Sequence, residues 1–391
     1  MIEAADLGSG CYAVTDGEIA AINLGSARRR SWERLACDPA ATGVAELIVE
    51  QEQMAAQLLG DLGALERLEA LAMHLARVDA MSARTALVRA QVASTTHRFA
   101  EARICLAQAA ERGAPAETLD RLALNIDQAC GTQLDAVLEA RRSMAAESRS
   151  LEDLVPLGAL LADLREFDEA DETYRRGLHA YQDVSPFAVA WVCFQLGALW
   201  GELVDEPQAS RAADWYRRAL ALLPSYVKAR VHLAEIHASC GRPGDAESVL
   251  LPALASSDPE VRWRLADAMT IQGRLAEAEQ QLAAARSGFE LLLEQHLLAF
   301  ADHGAEFYAG SGNDAARALD LARTNVANRP TLRAYEQAYA IAVDAGEPDP
   351  AMQLLAGATQ RWGGTAAFRL SPLATCRTHS ISKGAPHENR P

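Results

Sequence analysis

One compound pattern constrains this chain more than its composition does. A small residue is followed four positions on by a large one and seven positions on by a second small one, and the set returns at intervals of 32 to 42 residues. It reads Ala170, Tyr174 and Gly177; then Ala212, Tyr216 and Ala219; then Ala246, Leu250 and Ala253; then Ala278, Leu282 and Ala285. Each set is preceded by Leu-Gly or Leu-Ala, at Leu157-Gly158, Leu196-Gly197, Leu233-Ala234 and Leu265-Ala266. Small residues at i and i+7 lie on one helical face, and a large residue between them fills the space to a neighbouring helix. The pattern predicts antiparallel helix pairs. Gly241 and Gly273 fall where one helix must bend into the next, in a backbone conformation costly for other residues. Pro224 and Pro259 fall where a pair ends.

Composition agrees. Eighty of the 391 residues are alanine, which is the best helix former and is depleted from strands, so an all-β fold is excluded. Apolar positions at i, i+3, i+4 and i+7 continue from about Leu47 to Ala358. Aligned on the small residue, the units are anchored at Ala64, Ala102, Ala136, Ala170, Ala212, Ala246, Ala278, Ala318 and Ala351. Two intervals are long. The extra residues fall around Val204-Asp205-Glu206-Pro207 and around Ser185-Pro186 in one, and in the apolar stretch Phe289 to Phe300 in the other, which predicts a lengthened or additional helix.

These units resemble the tetratricopeptide repeat, with its W-x2-L-G-x2-Y, A-x3-F and P positions in 34 residues. The clearest unit is Leu196-Gly197-x2-Trp200, Ala212-x3-Tyr216-x2-Ala219 and Pro224. The resemblance covers most of residues 80 to 360. It implies an all-α fold, a right-handed α-solenoid of stacked antiparallel helix pairs. The expected organisation is an irregular or partly disordered segment at 1–43, with either short strands at 11–14 and 19–24 or disorder there, degenerate helical repeats at 44–150, clear repeats at 151–290, further repeats with the lengthened helix at 291–371, and an unfolded tail at 372–391.

Charge narrows the partners. Lys+Arg 37 against Asp+Glu 53 leaves a net −16, only Lys228 and Lys383 are lysines, and the one dense basic run is Arg28-Arg29-Arg30. Such a chain repels phosphate backbones, so nucleic acid is not an expected partner. The arginine bias fits a GC-rich bacterial genome. Seven cysteines with no CxxC indicate neither a disulfide framework nor a zinc site, and a reducing cytoplasm is expected. Glu3, Asp6, Asp16 and Glu18 interrupt any signal peptide, and no membrane insertion is expected.

No HExxH, GxSxG or phosphate-binding glycine loop occurs, and no catalytic set and no cofactor are expected. Among nine histidines, His232 and His237 diverge by about 140° on a helix. His296 and His303 share a helical face with Glu306 following, a weak metal set because two turns span about 10.5 Å. Gly310-Ser311-Gly312 reads as a turn before a capped helix.

What remains is surface. The resemblance implies a concave groove lined by the first helix of each repeat. Its groove positions carry over to Glu152, Val155 and Asp163; Trp191, Phe194 and Glu202; Lys228, Val231 and Glu235; and Glu260, Trp263 and Asp267. That groove is acidic with aromatic anchors, and the lysine, arginine and asparagine with which family members clamp a carboxylate are nearly absent. The expected function is a non-catalytic interaction scaffold or adaptor holding a basic or apolar segment of another protein. The alternatives are an accessory protein of a metal or cofactor pathway, using His296, His303 and Glu306; a peptide-sensing regulator; or an enzyme built on the first 43 residues, where Cys11 and Cys37 lie without a histidine.

Overall fold

The computed structural model describes residues 14–39, 41–148 and 150–376. Cys11 and everything beyond Cys376 lie outside them, so the expectations for residues 11–13 and for most of the tail have no counterpart below.

The described residues form nineteen α-helices. The first nine are α1 (Gly17–Cys37), α2 (Val44–Leu59), α3 (Gly63–Val78), α4 (Ala83–Thr95), α5 (Phe99–Glu111), α6 (Ala116–Cys130), α7 (Leu134–Glu147), α8 (Leu151–Asp163) and α9 (Phe167–Ala180). Then come α10 (Pro186–Ala198), α11 (Ala209–Leu222), α12 (Val227–Ser239), α13 (Pro243–Leu250), α14 (Pro259–Ile271) and α15 (Leu275–Ala309). The last four are α16 (Ala315–Asn328), α17 (Leu332–Asp344), α18 (Pro348–Trp362) and α19 (Ala366–Leu370). Consecutive helices pack in pairs, α4 on α5, α8 on α9, α10 on α11, α12 on α13, α14 on α15 and α17 on α18.

The small residues act as the repeat pattern requires. A Cβ on Gly158 would stand 2.7 Å from the Tyr174 ring, and one on Gly197 only 2.5 Å from Tyr216. In each pair a tyrosine of the second helix thus lies flat on the glycine of the first. The bends are also as expected: Gly241, Gly273 and Gly346 take φ of 73°, 77° and 72°.

Three expectations need correction. Residues 19–24 are not a strand. They belong to α1, capped by Asp16, which accepts from the Glu18 and Ile19 amides at 3.0 and 3.1 Å, and Ile19 and Ile22 point outward while Ala20 and Leu24 are buried. The segment 1–43 is therefore helical over 17–37. Arg28 of the basic run is turned inward, pairing at 2.6 Å with the buried Glu52 of α2 and at 2.8 Å with Asp61. Second, Ala136 is exposed and Val137 takes the buried position. Third, the tail expected to be unfolded from 372 is ordered at its start, where Leu373 is buried with Trp362 and Phe368.

Both insertions are real. After α10 the chain forms a π-turn, Leu199–Leu203, which lets Gln208 N reach Trp200 O at 2.7 Å. The stretch 289–300 lies within α15, whose 35 residues break at His296 (φ −138°, ψ 50°). That helix packs on both α14 and α16, with Trp263 of α14 meeting Phe289 before the break and Phe307 after it. The segment Pro186–Leu203 is long and apolar enough by composition to cross a membrane, at mean hydropathy 1.2. Here α10 is packed against α8, α9, α11 and α2 instead.

The solenoid turns back on itself. Ser257 N donates to Gly60 O at 3.1 Å, and the Ser257 hydroxyl donates to the same oxygen while accepting from Leu62 N. Asn328 donates to His97 O at 3.0 Å, Arg361 to Gly131 O at 3.0 Å, and Arg165 pairs with Glu336 at 2.6 Å. Side-chain contacts between residues 171 to 231 apart in sequence thus recur along the chain, the mark of one superhelical turn lying on the next.

Candidate functional site

The first helices of the second superhelical turn stand side by side and face inward: α10 with its π-turn, α12, α14, the second half of α15, and α17. Charged side chains link them in order. The Glu202 carboxylate accepts from the Tyr216 hydroxyl at 2.9 Å and lies 2.7 Å from His232 Nδ1. His232 also reaches Glu235 at 3.4 Å. Glu235 pairs with Arg264, which reaches Glu306 at 2.9 Å and Asp267 at 3.6 Å. Lower down, Glu260 meets His303 at 2.5 Å, and Asp302 meets Arg329 at 2.5 Å and receives Gln337 Nε2 on its backbone oxygen at 3.1 Å. Arg333 of α17 comes within 3.7 Å of Glu202 and closes the circle. The ring is partly accessible, since His232, Glu235 and Glu202 keep 21%, 29% and 30% of their side-chain surface exposed.

Enclosure and mutual pairing set the protonation states. Burial alone would depress His232, but Glu202 and Glu235 outweigh it and hold the imidazole up to about 9. His303 is likewise held at about 9 against burial by Asp302 and Glu260. Burial would raise Glu202, yet His232 and Arg333 bring it down to about 2. Both histidines are thus favoured in the charged form, held between carboxylates.

Of the carried-over groove positions, several turn out to be core. Phe194 is buried against Tyr216, Tyr226 and His232, with ring centroids 5.2 to 5.6 Å away. Trp263 is buried, donates from Nε1 to the Ser311 hydroxyl at 3.0 Å and carries the Arg264 guanidinium 3.5 Å above its ring. Val231 is buried as well, and Trp191 and Val155 are half-buried. Ser311, expected in a simple turn, donates a hydrogen bond from its hydroxyl to Asp267 at 2.6 Å. Lys228, Glu235, Glu260 and Asp267 face the ring, whereas Glu152 is exposed at the start of α8. The acidic face expected from sequence exists, but it is largely neutralised by cations of the same chain.

Sequence reasoning missed those cations. Arg329 and Arg333 arrive from the far side of the ring. His232 and Arg264 could have been found, because they stand 32 residues apart in the same register, each three residues before an acid, Glu235 and Asp267.

His296, His303 and Glu306 are not brought together. The break at His296 destroys the helical phase that would have aligned it with His303. His296 is buried near Glu69 and Arg98, His303 is engaged by Glu260, and Glu306 by Arg264. Among the described residues no group of three or more His, Cys, Asp or Glu side chains is placed to hold a metal ion.

The ring has an opening where the two superhelical turns meet. There a cavity of about 570 Å³ is bounded by the ends of α6 and α8, the π-turn, α17 and α18. Arg165 spans one edge, pairing with Asp205 at 2.5 Å and Glu336 at 2.6 Å. Asp163 lines the cavity. Asp163 is exposed on this cleft, where the surrounding chain raises its carboxyl against the pull of Arg333 and Arg329.

Helix pairing, glycine-on-tyrosine contacts and left-handed bends together define an all-α solenoid of stacked helix pairs. Solved structures of that type are similar in fold. One is a chain of the APC/C hetero-tetramer Cut9-Hcn1, at 12% identity and TM-score 0.43, over 86% of this chain and 63% of that one. Another is yeast Tom70, at 12% identity and TM-score 0.33, over 95% of this chain and 98% of that one. The chain thus spans less than two thirds of the first. No family profile and no curated protein matches the sequence.

Proposed function

We propose that the protein is a non-catalytic interaction scaffold that receives a segment of another protein at the cleft between its superhelical turns. The observation that carries this is the contrast in pairing. Around the ring the charges satisfy one another, whereas at the cleft Asp163 has no hydrogen-bonded partner and Arg333 leaves 65% of its side chain exposed. Repeat solenoids use extended inner surfaces to hold partner segments, and here most of that surface is closed by its own side chains. The net charge of −16 and the acids Asp163, Glu202, Asp205 and Glu336 favour a basic or apolar segment.

A photoreactive residue at Arg369, on the cleft, and another at Arg217, on the outer face of α11, provide the test in the native cell. Adducts with a partner are expected from position 369 and not from 217. Equal adducts at both positions, or none at 369, would remove the cleft from consideration.

A further inference from the structure

The break in α15 lies where the second superhelical turn touches the first. His296, at the break, is 7% exposed, and neither of its ring nitrogens has a hydrogen-bond partner in the chain. Two residues further on, the Leu298 carbonyl accepts from His97 Nδ1 at 3.2 Å, at the bend between α4 and α5. Phe300 then packs against the core formed by α1 to α4, and Asn328 of α16 donates to His97 O at 3.0 Å. These contacts form a seam, with α3 to α5 on one side, α15 and α16 on the other, and the His296 ring inside it.

An unpaired imidazole suits such a place only while it is neutral. Enclosing an unpaired polar group is costly, and enclosing an unpaired charge far more so. The charged groups facing His296 are Glu66 and Glu69 of α3 and Arg98 at the start of α5. Arg98 donates to Glu69 and, at 2.8 Å, to Glu101, so Glu69 already has its cation, and Glu66 is exposed. Burial and Arg98 together outweigh the two acids and lower the affinity of His296 for a proton.

We infer that His296 is an acid-sensitive latch between the two superhelical turns: the neutral ring fits the closed seam, and a proton on it favours a state in which the α15 break has parted from α3 and α5 and the ring reaches water. The inference concerns how the solenoid opens and does not depend on what the scaffold binds. The segment after the break carries Asp302, His303 and Glu306 of the ring, so parting of the seam also uncovers the inner face. An imidazole in water takes up its proton near pH 6.5. At pH 5.5 the open state is protonated about ten to one, which raises its population by up to about tenfold over that at pH 7.5.

Amide hydrogen exchange of the full chain at pH 7.5 and 5.5, corrected for the intrinsic pH dependence of exchange, is the test. Exchange in residues 64–78, 97–105 and 292–304 is expected to rise by up to about tenfold at pH 5.5. The other contact between the turns, Ser257 with Gly60, involves no histidine and should keep its protection. His296→Gln keeps a polar side chain that does not titrate, and His296→Leu brings no polar atom into the seam. Both are expected to hold the seam equally closed at the two pH values. His97→Gly, which suits the φ of 57° and removes the ring from Leu298 O, should loosen the seam at both pH values and preserve the response to acid. Wild-type exchange at the seam that is the same at both pH values overturns the inference, whatever the variants do. So does an equal rise at Ser257 and Gly60, the sign of general loosening in acid, or a rise that survives in both His296 variants.

Discussion

Arg165 is a bend residue where glycine would be the simpler choice, and replacing it separates two opposing effects. The bends at Gly241, Gly273, Gly346, His97 and Arg165 share one hydrogen-bond arrangement, in the first Gly241 N to Ala238 O and Arg242 N to His237 O. At the three glycines an added Cβ would meet nothing within 4 Å, so only the left-handed φ favours glycine there. Arg165, at φ 64°, bears that strain, roughly 1 kcal/mol. In return its guanidinium, 10% exposed, reaches Glu336 on the other superhelical turn and Asp205 on the π-turn loop. The Asp205 pair, with that carboxylate 60% exposed, contributes about 0–1 kcal/mol. The Glu336 contact, 22% exposed, is worth about 1.5–3 kcal/mol as a charge-assisted hydrogen bond. Arg165→Gly relieves the strain and loses the contacts, for a net loss of about 1 kcal/mol. Arg165→Ala keeps the strain and should lose about 1 kcal/mol more. The expected order of stability is wild type, then glycine, then alanine. Repeat arrays need not unfold in one step, so the readout is amide hydrogen exchange on both flanks, residues 150–166 and 331–345, together with a double-mutant cycle against Glu336→Gln. A coupling of about 1–2 kcal/mol is expected. A glycine variant more stable than wild type, or a coupling indistinguishable from zero, would show that Arg165 does not clamp the turns together.

Two other expectations follow from the ring and the repeats. Because His232 and His303 are raised to about 9 in the folded state, they contribute stability that is complete below about pH 6.5 and lost as pH rises through about 9. Thermal midpoints should therefore fall between pH 7 and 10. The groups facing these histidines are Glu202, Glu235, Glu260, Asp302 and Lys228, and His232→Gln should flatten the decline; an unchanged slope in that variant would contradict the ion pairing. Gly197→Ala sets a methyl 2.5 Å from the Tyr216 ring and is expected to cost about 1–3 kcal/mol by overpacking, whereas Gly241→Ala, with open space around it, should cost about 1 kcal/mol from φ alone. Urea midpoints that rank the two in reverse would refute the glycine-on-tyrosine account.

The sequence was legible where its constraints are local. A tyrosine seven or more residues past the bend can lie on a helix only if glycine faces it, so Gly158 with Tyr174 and Gly197 with Tyr216 announce their pairs without knowledge of the rest. The first helix was misread because its buried stripe is made of Gly17, Ala20, Leu24 and Ser31, while its β-branched Ile19 and Ile22 face outward, inverting the usual signal. The closure of the ring was not legible at all, and the reason is geometric. Which helix of the second turn faces α8 depends on the small rotation added at each repeat, a sum over many contacts that no single motif encodes. That sum brings Arg333 to Glu202 and Arg165 to Glu336, and it decides the electrostatics of the inner face. The same acids that read as an open anionic groove in sequence become, once the superhelix is tight enough, the lining of a ring that supplies its own counter-charges. Only the end of α8 escapes. Asp163 lies exposed where the stacked turns meet, near Arg333, which keeps 65% of its side chain exposed.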